Sequence, residues 1–283
     1  MISKSNFIKV KMPLHITGFF APFFSKDPLL CGSIGAGLVL EPKIECFLKP
    51  GEKTEIFFNR EKVKIESVNR VLGFFKDSKT EIKIFSPVPL GVGYGTSGAV
   101  SLAVSLALCK LFKKSKKEGG KIAHIAEVRS LTGLGDVSAI FYGRALVVRI
   151  KPGAPGIGRV ISFPHSKNIQ IITCDLKKGD TREMLKKITP EIISLGKNLT
   201  EDFLKKPTLE NFFEYSQIFS KKIGWGKERL FKKLEKIKKY CLGFSMKKGV
   251  FFLAVERNSF KKVFSFLKQE ISKDIHVFRL FNP

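Results

Sequence analysis

Apolar and polar positions alternate in short runs through the first half of the chain. With β-branched and aromatic enrichment, this predicts strands at residues 7–11, 36–48, 55–59, 62–66 and 81–86. A short helix is predicted at 68–75. From residue 97 the period changes, and two helices are expected, 97–112 and 121–131. The lysine- and glycine-rich stretch 113–120 between them reads as an exposed linker. A strand at 145–150, a Pro/Gly turn at 151–158 and a strand at 159–163 complete this half.

Past residue 164 the order changes. A strand (169–174) is followed by several helices between residues 181 and 239. Then come a strand pair (242–246, 250–256) turned at Lys247, Lys248 and Gly249, a helix (260–271) and a last strand (276–281). Strand, helices, strand, strand, helix, strand is the order of a ferredoxin-like α+β layer. The expected division is a strand-rich N-terminal domain, residues 1–164, and a ferredoxin-like C-terminal domain, residues 165–283.

Composition narrows the function classes. With 43% hydrophobic and 27% charged residues among 283, the chain reads as soluble and globular. No apolar run is long enough to span a bilayer, and the first ten residues lack the apolar core of a signal peptide. The five cysteines are scattered, which fits free thiols in a reducing cytoplasm. The formal net charge is +26, yet the lysines are spread along the chain and follow no nucleic-acid-binding motif. Neither a nucleic acid nor a membrane is therefore expected as partner, while the excess positive charge suits an anionic substrate.

The most informative stretch is residues 87–99, Pro-Val-Pro-Leu-Gly-Val-Gly-Tyr-Gly-Thr-Ser-Gly-Ala. Gly91, Gly93 and Gly95 let the backbone lie flat against a ligand, and the loop opens directly into a helix. A helix start offers free N–H groups and partial positive charge to a phosphate. Thr96 and Ser97 place hydroxyls there, to cap the helix or to ligate a phosphate-bridging metal. The loop has no lysine, unlike a Walker loop, and its third glycine comes one residue too early for a dinucleotide fingerprint.

Two acids follow. Glu127 lies mid-helix among Ile125, Ala126 and Val128, with His124 one turn earlier on the same face. A carboxylate partly buried there needs a cation, and Mg²⁺ with Ser97 as co-ligand would serve. Asp136 follows Thr132-Gly-Leu-Gly135 and precedes a short predicted helix, 137–142. It is either a helix cap or a catalytic carboxylate held at a helix start.

The run Pro89-x-Gly91-x-Gly93-x-Gly95-Thr96-Ser97-Gly98-Ala99 resembles the second motif of the GHMP kinases, whose usual form is Pro-x-Gly-x-Gly-Leu-Gly-Ser-Ser-Ala-Ala. Tyr94, Thr96 and Gly98 depart from it. The resemblance implies the GHMP kinase fold, with a first domain of ribosomal-protein type and the active site in the cleft between the halves. It implies ATP bound by Pro89, Gly91, Gly93, Gly95, Thr96, Ser97 and Gly98. Mg²⁺ would sit on Ser97 and Glu127, with Asp136 as general base.

Within that superfamily, residues 13–20, 32–37, 132–136, 151–158 and 245–251 are similar to the archaeal pantoate kinases. That family uses ATP to phosphorylate the primary hydroxyl of (R)-pantoate, giving 4-phosphopantoate for coenzyme A biosynthesis. The first motif here reads His15-Ile-Thr-Gly18. The last keeps Ser245, Met246 and Gly249 but has Lys247 and Lys248 where an apolar residue is expected. A pantoate carboxylate needs a cation, and Arg149, at the end of its strand beside the Pro/Gly turn, is the first candidate and Arg144 the second. His124 would contact substrate or orient Glu127, and Thr181 would face the cleft from the second half. His15 is either a substrate contact or a core histidine. A homodimer is implied by resemblance alone. The alternatives are a GHMP kinase for mevalonate, homoserine or shikimate, and a basic RNA-binding protein.

Overall fold

The computed structural model describes residues 7–76, 78–165, 168–176, 188–226, 228–272 and 274–282. The expected segment around Thr181 lies outside the described residues. β1 (Ile8–Phe23) pairs antiparallel with β2 (Gly32–Pro50), and both are far longer than their alternating patterns suggest. The reason is burial on both faces. Every residue of β1 from Pro13 to Pro22 is buried, His15 and Thr17 included, so the strand has no solvent face along this stretch.

β3 (Glu55–Phe58), β4 (Glu61–Lys62) and β5 (Thr80–Phe85) extend the sheet to one side. α1 (Glu66–Leu72) starts two residues before its predicted place and takes Glu66 out of the predicted strand. α2 (Thr96–Leu111) is buried on nearly all sides, which explains its uniformly small and apolar sequence. α3 (Lys116–Ser130) begins inside the stretch expected to be a linker. Ser115 accepts from the Glu118 N–H, and the Glu118 side chain accepts from the Ser115 N–H. This reciprocal cap offsets the weak helix propensity of Gly119 and Gly120. α4 (Asp136–Tyr142), β6 (Leu146–Lys151) and β7 (Arg159–Phe163) follow, with β6 paired to β2 and β7.

The second half holds β8 (Ile169–Asp175), α5 (Pro190–Lys205), α6 (Leu209–Lys222), α7 (Glu228–Glu235), β9 (Gly243–Lys247), β10 (Val250–Glu256), α8 (Phe260–Glu270) and β11 (Ile275–Leu280). Its strands lie in the antiparallel order β11-β8-β10-β9, the ferredoxin-like arrangement. β11 also pairs with β2 through Arg279–Glu41 and Leu280–Leu40, so one curled sheet runs through both halves. Aromatic rings fasten the join. Phe19 on β1 packs 5.5 Å from Phe203 of α5 and 6.1 Å from Tyr215 of α6. No helix among the described residues is long and apolar enough to cross a membrane. All five cysteines are free, and four of them are buried.

Candidate active site

The glycine loop ends in Gly95, which caps α2 in the left-handed region at φ 62°. A Cβ there would lie 2.9 Å from the His15 carbonyl oxygen and 3.2 Å from Asp136 Cγ. Glycine is therefore required twice at this position, by conformation and by contact. No side chain caps α2. Its first N–H groups are left for a ligand at the positive end of the helix dipole. The Thr96 hydroxyl turns back and donates to the Pro89 carbonyl at 3.3 Å, tying the loop to itself. Tyr94 is fully buried and points into the second half, where its hydroxyl bonds Thr173 (2.8 Å) and Asp175.

Glu127 lies beside the start of α2 and is 1% exposed. Its Oε1 accepts from the Ser97 and Ser101 hydroxyls, each at 2.7 Å. The Ser67 hydroxyl sits 2.8 Å from Ser101 and 3.3 Å from Ser97. Burial pushes the Glu127 carboxyl above its ordinary range, against the serine hydrogen bonds, which favour its ionised form. Its Oε2 is buried with no hydrogen-bond partner. A Cβ on Gly133 would stand 3.1 Å from that oxygen and 3.3 Å from Asp136 Oδ2, so a glycine keeps the gap between the two acids open. An orphaned carboxylate oxygen, a serine hydroxyl and an open gap suit a hard divalent cation such as Mg²⁺. Among the described residues no group of three or more His, Cys, Asp or Glu side chains could hold a metal unaided. A cation here would share its coordination with ligand oxygens, as Mg²⁺ does with phosphates.

Asp136 is the first residue of α4, yet its side chain does not cap the helix. Its Oδ1 accepts from His15 Nδ1 at 2.7 Å. Arg149 Nη1 stands 3.4 Å from His15 Nε2. Guanidinium can only donate, so Nε2 accepts and the imidazole carries its proton on Nδ1. Lys247 Nζ lies 4.0 Å from the same Asp136 oxygen. Burial alone would raise the Asp136 carboxyl. Lys247, the His15 hydrogen bond and Arg149 outweigh it and hold the group well below the usual carboxylate range. Burial brings His15 down to about 4, against the pull of Asp136, so the ring is neutral. Burial also lowers Arg149 to about 10 and lowers Lys247. Arg149 is 2% exposed and its Nε has no partner.

Asp136, Arg149 and Lys247 line one cleft, together with Thr17, Ser33 and Gly133. Of the residues singled out from sequence, Ser97, Glu127, Asp136, His15 and Arg149 thus converge beside the glycine loop. His124, on α3 one turn before Glu127, is 2% exposed and donates from Nε2 to the Cys31 carbonyl at 3.0 Å, two residues from Ser33 of the cleft. Arg144 is exposed and lines a separate hollow with Lys43 and Lys116. Sequence reasoning missed Ser67 and Ser101. Ser101 follows Ser97 by one helical turn, a spacing that could have revealed it. Nothing local marks Ser67, and Lys247 stood out only as a departure from the apolar residue expected in its motif.

A glycine loop running into a buried helix, flanked by two acids on this two-part fold, defines the class. The model of the GHMP kinases N-terminal domain matches residues 63–144. The chain belongs to the pantoate kinase family. It is 32% identical over 273 residues to pantoate kinase of Methanocaldococcus jannaschii, covering 93% of this chain and 98% of that one. It is likewise 32% identical to pantoate kinase of Thermococcus kodakarensis, covering 77% and 76%. A solved structure described as a phosphotransferase related to the CoA biosynthesis pathway superposes with TM-score 0.86 at 27% identity, covering 98% of this chain and 97% of that one. Methanococcus jannaschii mevalonate kinase, at 15% identity and TM-score 0.71 over 99% and 100%, shares the fold.

Proposed function

We propose that this protein transfers the γ-phosphoryl group of ATP to the primary hydroxyl of (R)-pantoate, giving (R)-4-phosphopantoate. The observation that carries the reading is the convergence of Ser97, Glu127 and Asp136 at the mouth of the glycine loop. Membership of the pantoate kinase family supports the acceptor. The division into an N-terminal ATP-binding domain, residues 1–164, and a ferredoxin-like C-terminal domain, residues 165–283, is part of the same proposal.

The loop and the first N–H groups of α2 take the triphosphate. Ser97 and Glu127 would hold Mg²⁺, which neutralises phosphate charge when bound. Arg149, with an unpaired Nε in the cleft, takes the pantoate carboxylate. Asp136 then orients the hydroxyl and receives its proton. The hydroxyl oxygen bonds to the γ-phosphorus as the bond to the β-phosphate oxygen breaks, and that electron pair leaves with ADP. A carboxylate held low by three neighbours is a weak base, but phosphoryl transfer has a loose transition state in which the proton leaves late. Anions bound on Arg149 and Lys247 would also cancel part of the field that depresses Asp136.

The test is ATP consumption with pantoate, mevalonate, homoserine and shikimate offered separately. Turnover with pantoate is expected. Turnover with another acceptor and none with pantoate would overturn the assignment.

A further inference from the structure

The cleft contains more positive than negative charge. Among the described residues, Arg149 and Lys247 line it opposite the carboxylate of Asp136. Arg149 and Lys247 are almost completely removed from water. Two buried cations facing one half-buried acid leave, among the described residues, a positive surplus that a bound anion would offset. The two cations do not occupy equivalent places. Arg149 comes from β6 and reaches Asp136 by way of His15. Lys247 comes from the other half of the molecule and lies against the loop itself.

Its backbone shows why. β9 ends at Lys247, and the hairpin turns through Lys248 in the left-handed region (φ 53°) and Gly249. The Gly249 N–H donates to the Val92 carbonyl at 3.3 Å, which clips the hairpin to the glycine loop. A Cβ on Gly93 would lie 3.1 Å from the Lys247 carbonyl oxygen, so the two backbones are in contact. From this anchor the Lys247 side chain enters the cleft and brings Nζ to 4.0 Å from Asp136 Oδ1. Lys247 thus abuts the phosphate cradle with its backbone and Cγ and brings its ammonium beside Asp136.

The geometry points to Lys247 as a catalytic residue whose ammonium contacts the phosphoryl group as it passes from ATP to the acceptor. The inference rests on the kinase reading above. It assigns a role to the hairpin that closes the second half over the loop. The phosphoryl oxygens carry spread negative charge at mid-transfer, and a preorganised, dehydrated cation at that point lowers the barrier more than it strengthens binding of either substrate. No bond to Lys247 forms or breaks. The ammonium keeps its protons, and the acceptor proton goes to Asp136.

Steady-state kinetics on Lys247→Gln and Lys247→Cys, with pantoate and Mg-ATP, test this. Lys247→Gln should lose kcat by about 100-fold, the order found for removal of one charge-stabilising donor. KM for ATP and for pantoate should stay within about threefold. Alkylating Lys247→Cys with bromoethylamine installs an ammonium of nearly the lysine length and should restore at least tenfold in kcat. This compares one folded polypeptide with itself, so a folding defect in Lys247→Gln, read from its melting curve, cannot imitate the result. Wild type treated identically reports any effect at the partly exposed Cys241. A Lys247→Gln enzyme within threefold of wild-type kcat overturns the inference, as does alkylated Lys247→Cys with no recovery. A wild type inert toward pantoate overturns the acceptor assignment instead, so the two failures are distinguishable.

Discussion

The glycine loop and the charged cluster beside it differ in where their geometry originates. The loop and the start of α2 are eleven consecutive residues, Pro89 to Ala99, shaped by glycine φ angles and by a helix that begins where the loop ends. The cluster draws His15 from β1, Asp136 from α4, Arg149 from β6 and Lys247 from β9. Backbone makes the first region, and long-range packing of side chains makes the second. A backbone cradle tolerates many neighbours because its donors are main-chain groups. A cluster of buried charges tolerates few, because each member loses water and must be repaid by the others. Substitutions in the cluster should therefore have the larger effects, and they should spread from one member to the next.

Asp136→Asn is the severest test. It removes the proton acceptor and leaves Lys247 and Arg149 without their shared counter-ion. We expect kcat to fall by about 10³-fold, within the range for general acid–base groups. Single-turnover measurement with saturating ATP and pantoate checks it. A loss below tenfold would make the cluster a structural ion network. Arg149→Lys comes next. It keeps the charge but gives up the planar fork, and should raise KM for pantoate by about 30-fold, equivalent to about 2 kcal/mol. KM for ATP should hardly move.

How much of this was legible beforehand follows the same line. The loop could be read at once because its signal is contiguous: alternate glycines, two hydroxyls, then a helix. Glu127 and Asp136 were legible because each sits in a short segment with an unusual neighbour set, an apolar helix in one case and Gly-Leu-Gly in the other. Arg149 and His15 were named, but not their contact through one imidazole, because their pairing depends on β1 and β6 both lying against β2. Lys247 was visible only as a lysine where an apolar residue was expected, and its place beside Asp136 comes from the fold. His124 shared a helix face with Glu127 in the sequence, yet the fold turns it to the Cys31 carbonyl. The fold itself was legible in its order of elements. It failed where β1 runs on through Pro13, Gly18 and Pro22 with both faces buried, and where a cap rescued a glycine-containing turn at the start of α3.

His15 gives a test of coupling by pH. Its folded-state pKa, about 4, lies below the ordinary histidine value of 6.5. The unfolded chain therefore binds more protons in between, and stability rises with pH through that window. It is fully present above about 6.5 and declines as pH falls toward 4. Asp136 acts the same way lower down: its depressed pKa gives stability that is lost only below the ordinary carboxylate range. Between pH 6.5 and 5 the histidine should account for about 1.6 kcal/mol of lost stability, measurable by urea unfolding. His15→Asn keeps an N–H for Asp136 and should flatten that slope. An unchanged slope would place the pH sensitivity outside the cluster.

The smallest expected effect bears directly on whether the cradle is as self-contained as its contiguous sequence suggests. Tyr94 belongs to the loop by sequence, but its ring lies 6.1 Å from His276 and 5.8 Å from Phe278 on β11, and its hydroxyl bonds Thr173 and Asp175 on β8. His276 holds the other oxygen of Asp175 at 3.3 Å. Tyr94→Phe keeps the ring packing and removes only the hydroxyl. Asp175 retains His276, so the cost should stay near 1 kcal/mol, a drop of about 2 °C in Tm. If glycine conformation alone shapes the loop, KM for ATP will not change. The structure argues otherwise. The loop lies between His15, whose N–H donates to the Tyr94 carbonyl at 2.9 Å, and the β9–β10 hairpin, and the Tyr94 side chain is a direct bond from it into β8. Loosening that bond should raise KM for ATP by about fivefold while kcat holds. The cradle would then depend on the second half for its position as the charged cluster does, though only weakly.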